Sequence, residues 1–274
     1  MYFYNDKASL MNNTFNAKRF GLLLKKVLLE RPMQMFGFTG LILVLVWMIY
    51  FIAKVEIGFG PAQNLSYIWG LAGGGCFLAS FVFGYFGSNA SGASYLTLPA
   101  SHLEKWLSGI LIAGIFYPLI FLLFYRAMDA AFVAIYHRGL DPQNPLYRRQ
   151  YDAVYLLRFD SRLASKVYPL FLMFTGVALL GSLYFNKASF IKTALVFCVV
   201  CLVIFGLNWL IAESLIGSID FASPFGGVNI LIGKEVGSVE LPQKMFQTCM
   251  YTFDYVLPMI FWALTYVRLR EKEF

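Results

Sequence analysis

Few side chains in this sequence are both reactive in type and spaced for chemistry. Cys198 and Cys201, in "CVVC", have the spacing of a redox or metal pair. They lie inside a hydrophobic run with no His or acid nearby, so they read as small apolar packing residues. Cys76 and Cys249 also lie within or beside apolar runs, and no disulfide framework is expected. The stretch "GGVNILIGKEVG" (226–237) superficially resembles a phosphate loop. It ends in Gly-Lys-Glu without the Ser or Thr that holds magnesium, and its upstream glycine spacing is wrong. A small hairpin, "VNILI" and "SVELP" around a Gly-Lys-Glu turn, is expected there instead. No H-E-x-x-H or G-x-S-x-G motif occurs, and the only histidines are His102 and His137. No catalytic residue and no metal site is assigned, and the chain itself is not read as an enzyme. Asp254, in "YTFDYVLP", is the one acid expected within hydrocarbon. Intramembrane acids are expensive and functional by default, which makes Asp254 a candidate for a transport path.

These residues are set in a chain of 274 residues, 59% hydrophobic and 18% aromatic but only 14% charged. Soluble domains carry roughly 25% charged residues, so the composition is that of an integral membrane protein. The formal net charge of +7 does not fall in a stripe interleaved with base-stacking aromatics. It suits anionic membrane lipids and not nucleic acid. A spanning helix needs about 20 largely apolar residues, and six runs qualify: 35–53, 65–87, 107 to at least 125, 167–185, 193–212 and 246–267. The expected fold is an all-α membrane protein. A cytoplasmic segment (1–34) precedes one six-span domain (35–267), and a short cytoplasmic tail (268–274) follows it. Outer loops are expected at 126–166 and 213–245. The first span is too long, and lies too far into the chain, to be a cleavable signal peptide. Span three is expected to continue as a helix through "RAMDAAFVAIY", with Arg126 pairing with Asp129. Gly70 and Gly74, in "GLAGGGC", form a small-xxx-small pair suited to close helix packing.

Before the first span, "NTFNAKRFGLLLKKVLLERP" reads as a basic amphipathic helix with Thr14 as its cap and Pro32 as its stop. Phe20, Leu23, Leu24, Val27 and Leu28 share one side, while Lys18, Arg19, Lys25 and Lys26 share the other. Such a helix lies along cytoplasmic headgroups. Its basic residues, together with Arg268, Arg270 and Lys272 in the tail, place both termini in the cytoplasm. Arg138, Arg148, Arg149, Arg158 and Arg162 in the outer loop run against that assignment.

Between spans two and three stands "SYLTLPASHLEKWLSGIL" (94–111). The preceding "SNASGAS" (88–94) reads as a flexible exit from the second span. Pro99 stops a helix and favours an extended Leu98. Ser101 and Glu104 have the spacing of a capping box, so a new helix starts at Ser101. Leu103, Trp106, Leu107 and Ile110 make one apolar face, leaving His102 and Lys105 available to solvent or a partner.

In order and spacing the chain resembles the permease subunits of ABC transporters of the type-two exporter superfamily. Those proteins share the basic elbow helix, six spans, and a cytoplasmic helix between spans two and three. Their connection often reads LP-[AVI]-S-x-x-E, matched here by Leu98, Pro99, Ser101 and Glu104. The chain departs at His102 and Gly109, where basic residues are frequent in the family. The resemblance implies a coupling helix at about 99–107, with Pro99, Ser101, His102, Leu103, Glu104, Lys105 and Trp106 at an ATPase contact. ATP and magnesium are then expected on a separate ATPase subunit. The other partner is a second permease subunit, either the same chain or a paralogue. The implied location is the bacterial inner membrane. The alternative reading of these features is a non-transporting membrane scaffold or sensor whose cytoplasmic helix binds another partner.

Overall fold

The protein, in a computed structural model, is described over residues 15–87, 89–185, 187–217, 219–223, 227–232, 235–240 and 242–272. It is predominantly helical. An amphipathic helix α1 (Ala17–Glu30) leads into five helices long and apolar enough to cross a membrane. Of these, α2 (Met33–Glu56) and α3 (Phe59–Val82) come first. After a short helix α4 (Asn89–Leu96) comes α5 (His102–Arg138), and after a second short helix α6 (Tyr147–Ala153) comes α7 (Arg162–Tyr184). The fifth is α8 (Ser189–Ile216). A final helix α9 runs over 243–270 and is long enough to span, but Gln247, Asp254 and several hydroxyls make it less apolar.

Between α8 and α9 lie three antiparallel strands in the order β1 (Ile219–Ala222), β2 (Gly227–Ile232) and β3 (Glu235–Glu240). Val228 pairs with Val239 and Ile232 with Glu235, so a hairpin is present as expected, but its second strand begins at Glu235, inside the expected turn, and not at Ser238; β1 widens it. Its Gly233-Lys234 turn falls outside the described residues.

Asn16, and not Thr14, caps α1: its Oδ1 accepts from the amides of Lys18 (3.0 Å) and Arg19 (3.3 Å). Thr14 lies outside the described residues. Leu23 and Val27 are buried on the bundle, whereas Leu22 and Leu29 are 70% and 60% exposed. The helix therefore has apolar surface for a membrane as well as for its own core. In α2 the buried residues are Met35, Ile42, Val46, Tyr50 and Ala53, a single stripe at helical spacing on an otherwise apolar rod. The central helices α3 and α7 bury residues on several faces. By contrast α8 buries only Thr193 and Ala212 and presents Leu, Val, Ile and Trp side chains outward. Such a surface is untenable in water and natural in hydrocarbon.

Four π-helical turns interrupt these rods, and three of them adjoin a proline. Met33–Gly37 follows Pro32, Leu111–Phe116 precedes Pro118, and Thr252–Val256 precedes Pro258. Pro118 and Pro258 have no N–H for the carbonyls of Gly114 and Asp254, which lie inside the turns before them, so the ladder widens there to re-pair. The fourth, Trp69–Gly73, lies in the glycine run of α3. At Gly70 and Gly74 a side chain would collide with Phe121 and Val46, and with Tyr117 and Ile42. The two glycines thus let α3 approach α2 and α5 more closely than any larger residue permits. Trp262 of α9 occupies a similar position: Gly114 of α5 and Gly176 of α7 press against its ring, and its Nε1 donates to the Leu172 carbonyl at 3.0 Å.

Two expectations are corrected here. Residues 89–94 of "SNASGAS" are not a flexible exit, because Asn89–Leu96 is helical and Tyr95 stacks on Tyr85 with ring centroids 4.6 Å apart; Ser88 lies outside the described residues. The helix starting after Ser101 is not a separate short element either. It runs unbroken through the π-helical turn to Arg138.

Candidate functional site

The end of the bundle that carries α1 is organised around Glu104, whose side chain is fully buried. Ser101 begins the site: its Oγ accepts from the Glu104 amide (3.2 Å), and the Ser101 amide donates to Glu104 Oε2 (2.9 Å). This reciprocal pair satisfies two donors that the first turn of α5 leaves open. The same carboxylate reaches α1. Arg19 Nε lies 2.7 Å from Oε2 and Arg19 Nη2 lies 2.8 Å from Oε1, while the Asn16 amide donates to Oε1 at 2.7 Å. Hydrogen bonding to Glu104 raises the Arg19 guanidinium above its ordinary value. One carboxylate therefore caps α5 and clasps the start of α1.

The neighbours of Glu104 are also turned inward. Lys105 is 2% exposed; its Nζ donates to the Leu96 carbonyl (2.8 Å) and lies over the Tyr95 ring. Trp106 is half-buried, donates from Nε1 to the Trp262 carbonyl (3.0 Å), and meets Tyr266 edge-on. This corrects the expectation that Lys105 is open to a partner, and it withdraws Glu104 from any direct external contact. Leu103 is half-buried, and Pro99 and His102 are exposed, as are Ser94 and Thr97 just before them. Around α1, Lys18 and Lys25 are exposed, and Lys26 lies 4.0 Å from Glu30.

Basic residues with aromatic partners ring this same end. Arg31 lies over Tyr85, Arg268 over Tyr184 and Lys272 over Phe86. Burial, and then the nearby Arg268, lower the Lys272 ammonium from its ordinary value.

Asp254 sits in the π-helical turn of α9 and forms an ion pair with Lys166 of α7 at 3.3 Å. Their side chains are 23% and 58% exposed, respectively. The pair stands at the mouth of a groove of about 910 Å³ between α7, α8 and α9. Among the described residues it is the ion pair that links two long helices of the bundle.

The opposite end of the bundle holds a residue that sequence reasoning misassigned. Asp129 does not pair with Arg126, which lies over the Phe159 ring instead. Asp129 is 1% exposed. Its Oδ1 accepts from Tyr50 Oη (2.7 Å) and Gln63 Nε2 (2.8 Å), and its Oδ2 accepts from the Leu157 amide (2.8 Å). Gln63 also donates to the Tyr155 carbonyl, and Tyr125 Oη donates to the Gln63 carbonyl at 2.7 Å. The network joins α2, α3 and α5 and holds down the segment after α6. All the groups on Asp129 are donors, so the arrangement is built for a carboxylate acceptor and not for a cation. A signal was available: Phe121, Tyr125, Asp129 and Phe132 lie on one stripe of α5, placing an acid on its buried face.

Among the described residues no group of three or more His, Cys, Asp or Glu comes together. No family model, curated protein or solved structure matches this chain.

Proposed function

We propose that this chain is the membrane-spanning permease subunit of an ABC exporter. Six helices, α2, α3, α5, α7, α8 and α9, cross the bacterial inner membrane, and both termini are cytoplasmic. A second permease subunit, the same chain or a paralogue, completes the membrane half. A separate ATPase carries ATP and magnesium. The coupling surface is α4 with the exposed turn Thr97, Pro99 and His102, and Asp254 lies along the transport path.

One observation carries this reading: the clasp of Glu104 with Ser101, Asn16 and Arg19. A force applied beside Ser101 meets the start of a 37-residue helix that runs to the far end of the bundle. That helix is fixed to α1 by charge-assisted hydrogen bonds and to α9 by the Trp106–Trp262 bond. A rigid rod anchored at its pushed end transmits displacement, which is what coupling to a distant ATPase requires.

The experiment is co-expression with candidate ATPases encoded beside this chain, followed by affinity capture from detergent. The native chain is expected to retain an ATPase. Pro99→Arg with His102→Asp, both on exposed positions, is expected to release it while the permease stays folded. A native chain that retains no ATPase sinks the reading and favours the scaffold or sensor.

A further inference from the structure

The groove between α7, α8 and α9 has a shape and a charge pattern that specify a ligand. At about 1.5 Å per residue, α7 from Lys166 to Tyr184 covers about 27 Å, close to the ~30 Å hydrocarbon thickness. Both residues line the groove, as do Thr193 and Ile204 of α8. The walls between are apolar, with Leu170, Met173 and Val200 among them. Charge appears at one end only, as the Lys166–Asp254 pair. The volume of about 910 Å³ lies within the range of about 300–1,000 Å³ usual for small-molecule sites.

The geometry points to a bound phospholipid with an ethanolamine headgroup. Its acyl chain lies in the groove, and its head meets Lys166 and Asp254. The charges select this head among lipids. An anionic head satisfies Lys166 but leaves the Asp254 carboxylate beside a second negative charge. A head bearing a phosphate and a primary ammonium satisfies both, with the phosphate on the Lys166 ammonium and the ammonium on Asp254. A quaternary ammonium carries the same charge but has no N–H for the carboxylate to accept. This site stands whether or not the chain works with an ATPase.

The test is lipid retention by the purified full chain in detergent, read by native mass spectrometry. The probes are phosphatidylethanolamine, phosphatidylcholine and phosphatidylglycerol with identical acyl chains, in equal amounts. The ethanolamine lipid is expected to be retained about fivefold over either competitor, the scale of one partly exposed charge contact. Lys166→Gln is expected to weaken retention of all three lipids, since each presents a phosphate to that ammonium. Asp254→Asn is expected to shift preference towards the glycerol lipid. Leu170→Trp with Val200→Trp is expected to reduce retention of all three, and the two neutralised variants decide the matter should that pair fail to fold. Equal retention of the three lipids by the native chain overturns the proposal, as does a preference unchanged in both neutralised variants. With Cys76, Cys198, Cys201 and Cys249 replaced, a cross-link between copies through Val200→Cys with the groove closed to lipid also overturns it.

Discussion

Asp129 shows how much a single acid can organise when every group around it donates. Three donors from α2, α3 and the segment after α6 converge on its two oxygens. Asparagine in its place has nearly the same shape but puts an NH₂ where an acceptor stood, so at least one buried donor loses its partner. The expected cost is about 1–3 kcal/mol, read as a lower thermal midpoint for Asp129→Asn in detergent, with faster proteolysis near Leu157. Tyr50→Phe removes one donor and leaves the carboxylate two others, so its loss should be smaller, about 1 kcal/mol. Equal stability of native protein and Asp129→Asn would show that this network does not hold the loop. The sequence reading missed the network because it paired Asp129 with the nearest opposite charge along one helix. Three of its real partners lie between 28 and 79 residues away. The capping box was legible for the opposite reason, since Ser101 and Glu104 are three residues apart and their geometry is local. What it could not reveal was Arg19, 85 residues earlier, which turns Glu104 from a surface charge into a buried clasp.

At the scale of elements, five of the expected spans coincide with helices long and apolar enough to cross a membrane, and the sixth with the less apolar α9, because runs of apolar residues leave the backbone no other way to satisfy its hydrogen bonds in hydrocarbon. Span three continues as helix beyond its apolar run, as expected through "RAMDAAFVAIY". His102–Trp106 and Arg126–Arg138 belong to α5 although they carry charges, because those side chains find partners on the bundle or in water. The sheet β1–β3 was legible only in part: two short stretches around a Gly-Lys-Glu turn marked β2 and part of β3, whereas β1 is defined by pairing with β2. The glycines of α3 permit a paired test of close packing. Gly74→Ala drives a methyl group into Tyr117 and Ile42, whereas Gly40→Ala on α2 meets nothing within 4 Å. Overpacking costs about 1–3 kcal/mol, so Gly74→Ala should lower the thermal midpoint and Gly40→Ala should leave it within error. Similar midpoints for the two variants would mean that α3 and its neighbours separate easily, contrary to the packing described.

For the whole molecule, the decisive property is which end faces the cytoplasm. The end with α1 gathers Lys18, Arg19, Lys25, Arg31, Arg268 and Lys272, several of them lying over aromatic rings. The opposite end carries Arg138, Arg148, Arg149, Arg158 and Arg162, which run against α1 inside. The flanks of the first span favour α1 inside, since Lys18, Arg19, Lys25, Lys26 and Arg31 precede it and only Lys54 follows closely. Two exposed serines separate the orientations: Ser94 in α4, and Ser238 in β3. With Cys76, Cys198, Cys201 and Cys249 replaced, Ser238→Cys should react with a membrane-impermeant maleimide in intact cells. Ser94→Cys should react only after the membrane is opened. The reverse pattern would put Pro99 and His102 outside, away from ATP, and would end the permease reading however well the fold suits it. The phospholipid groove would survive that result, but its Lys166–Asp254 mouth would then face the inner leaflet and not the outer one.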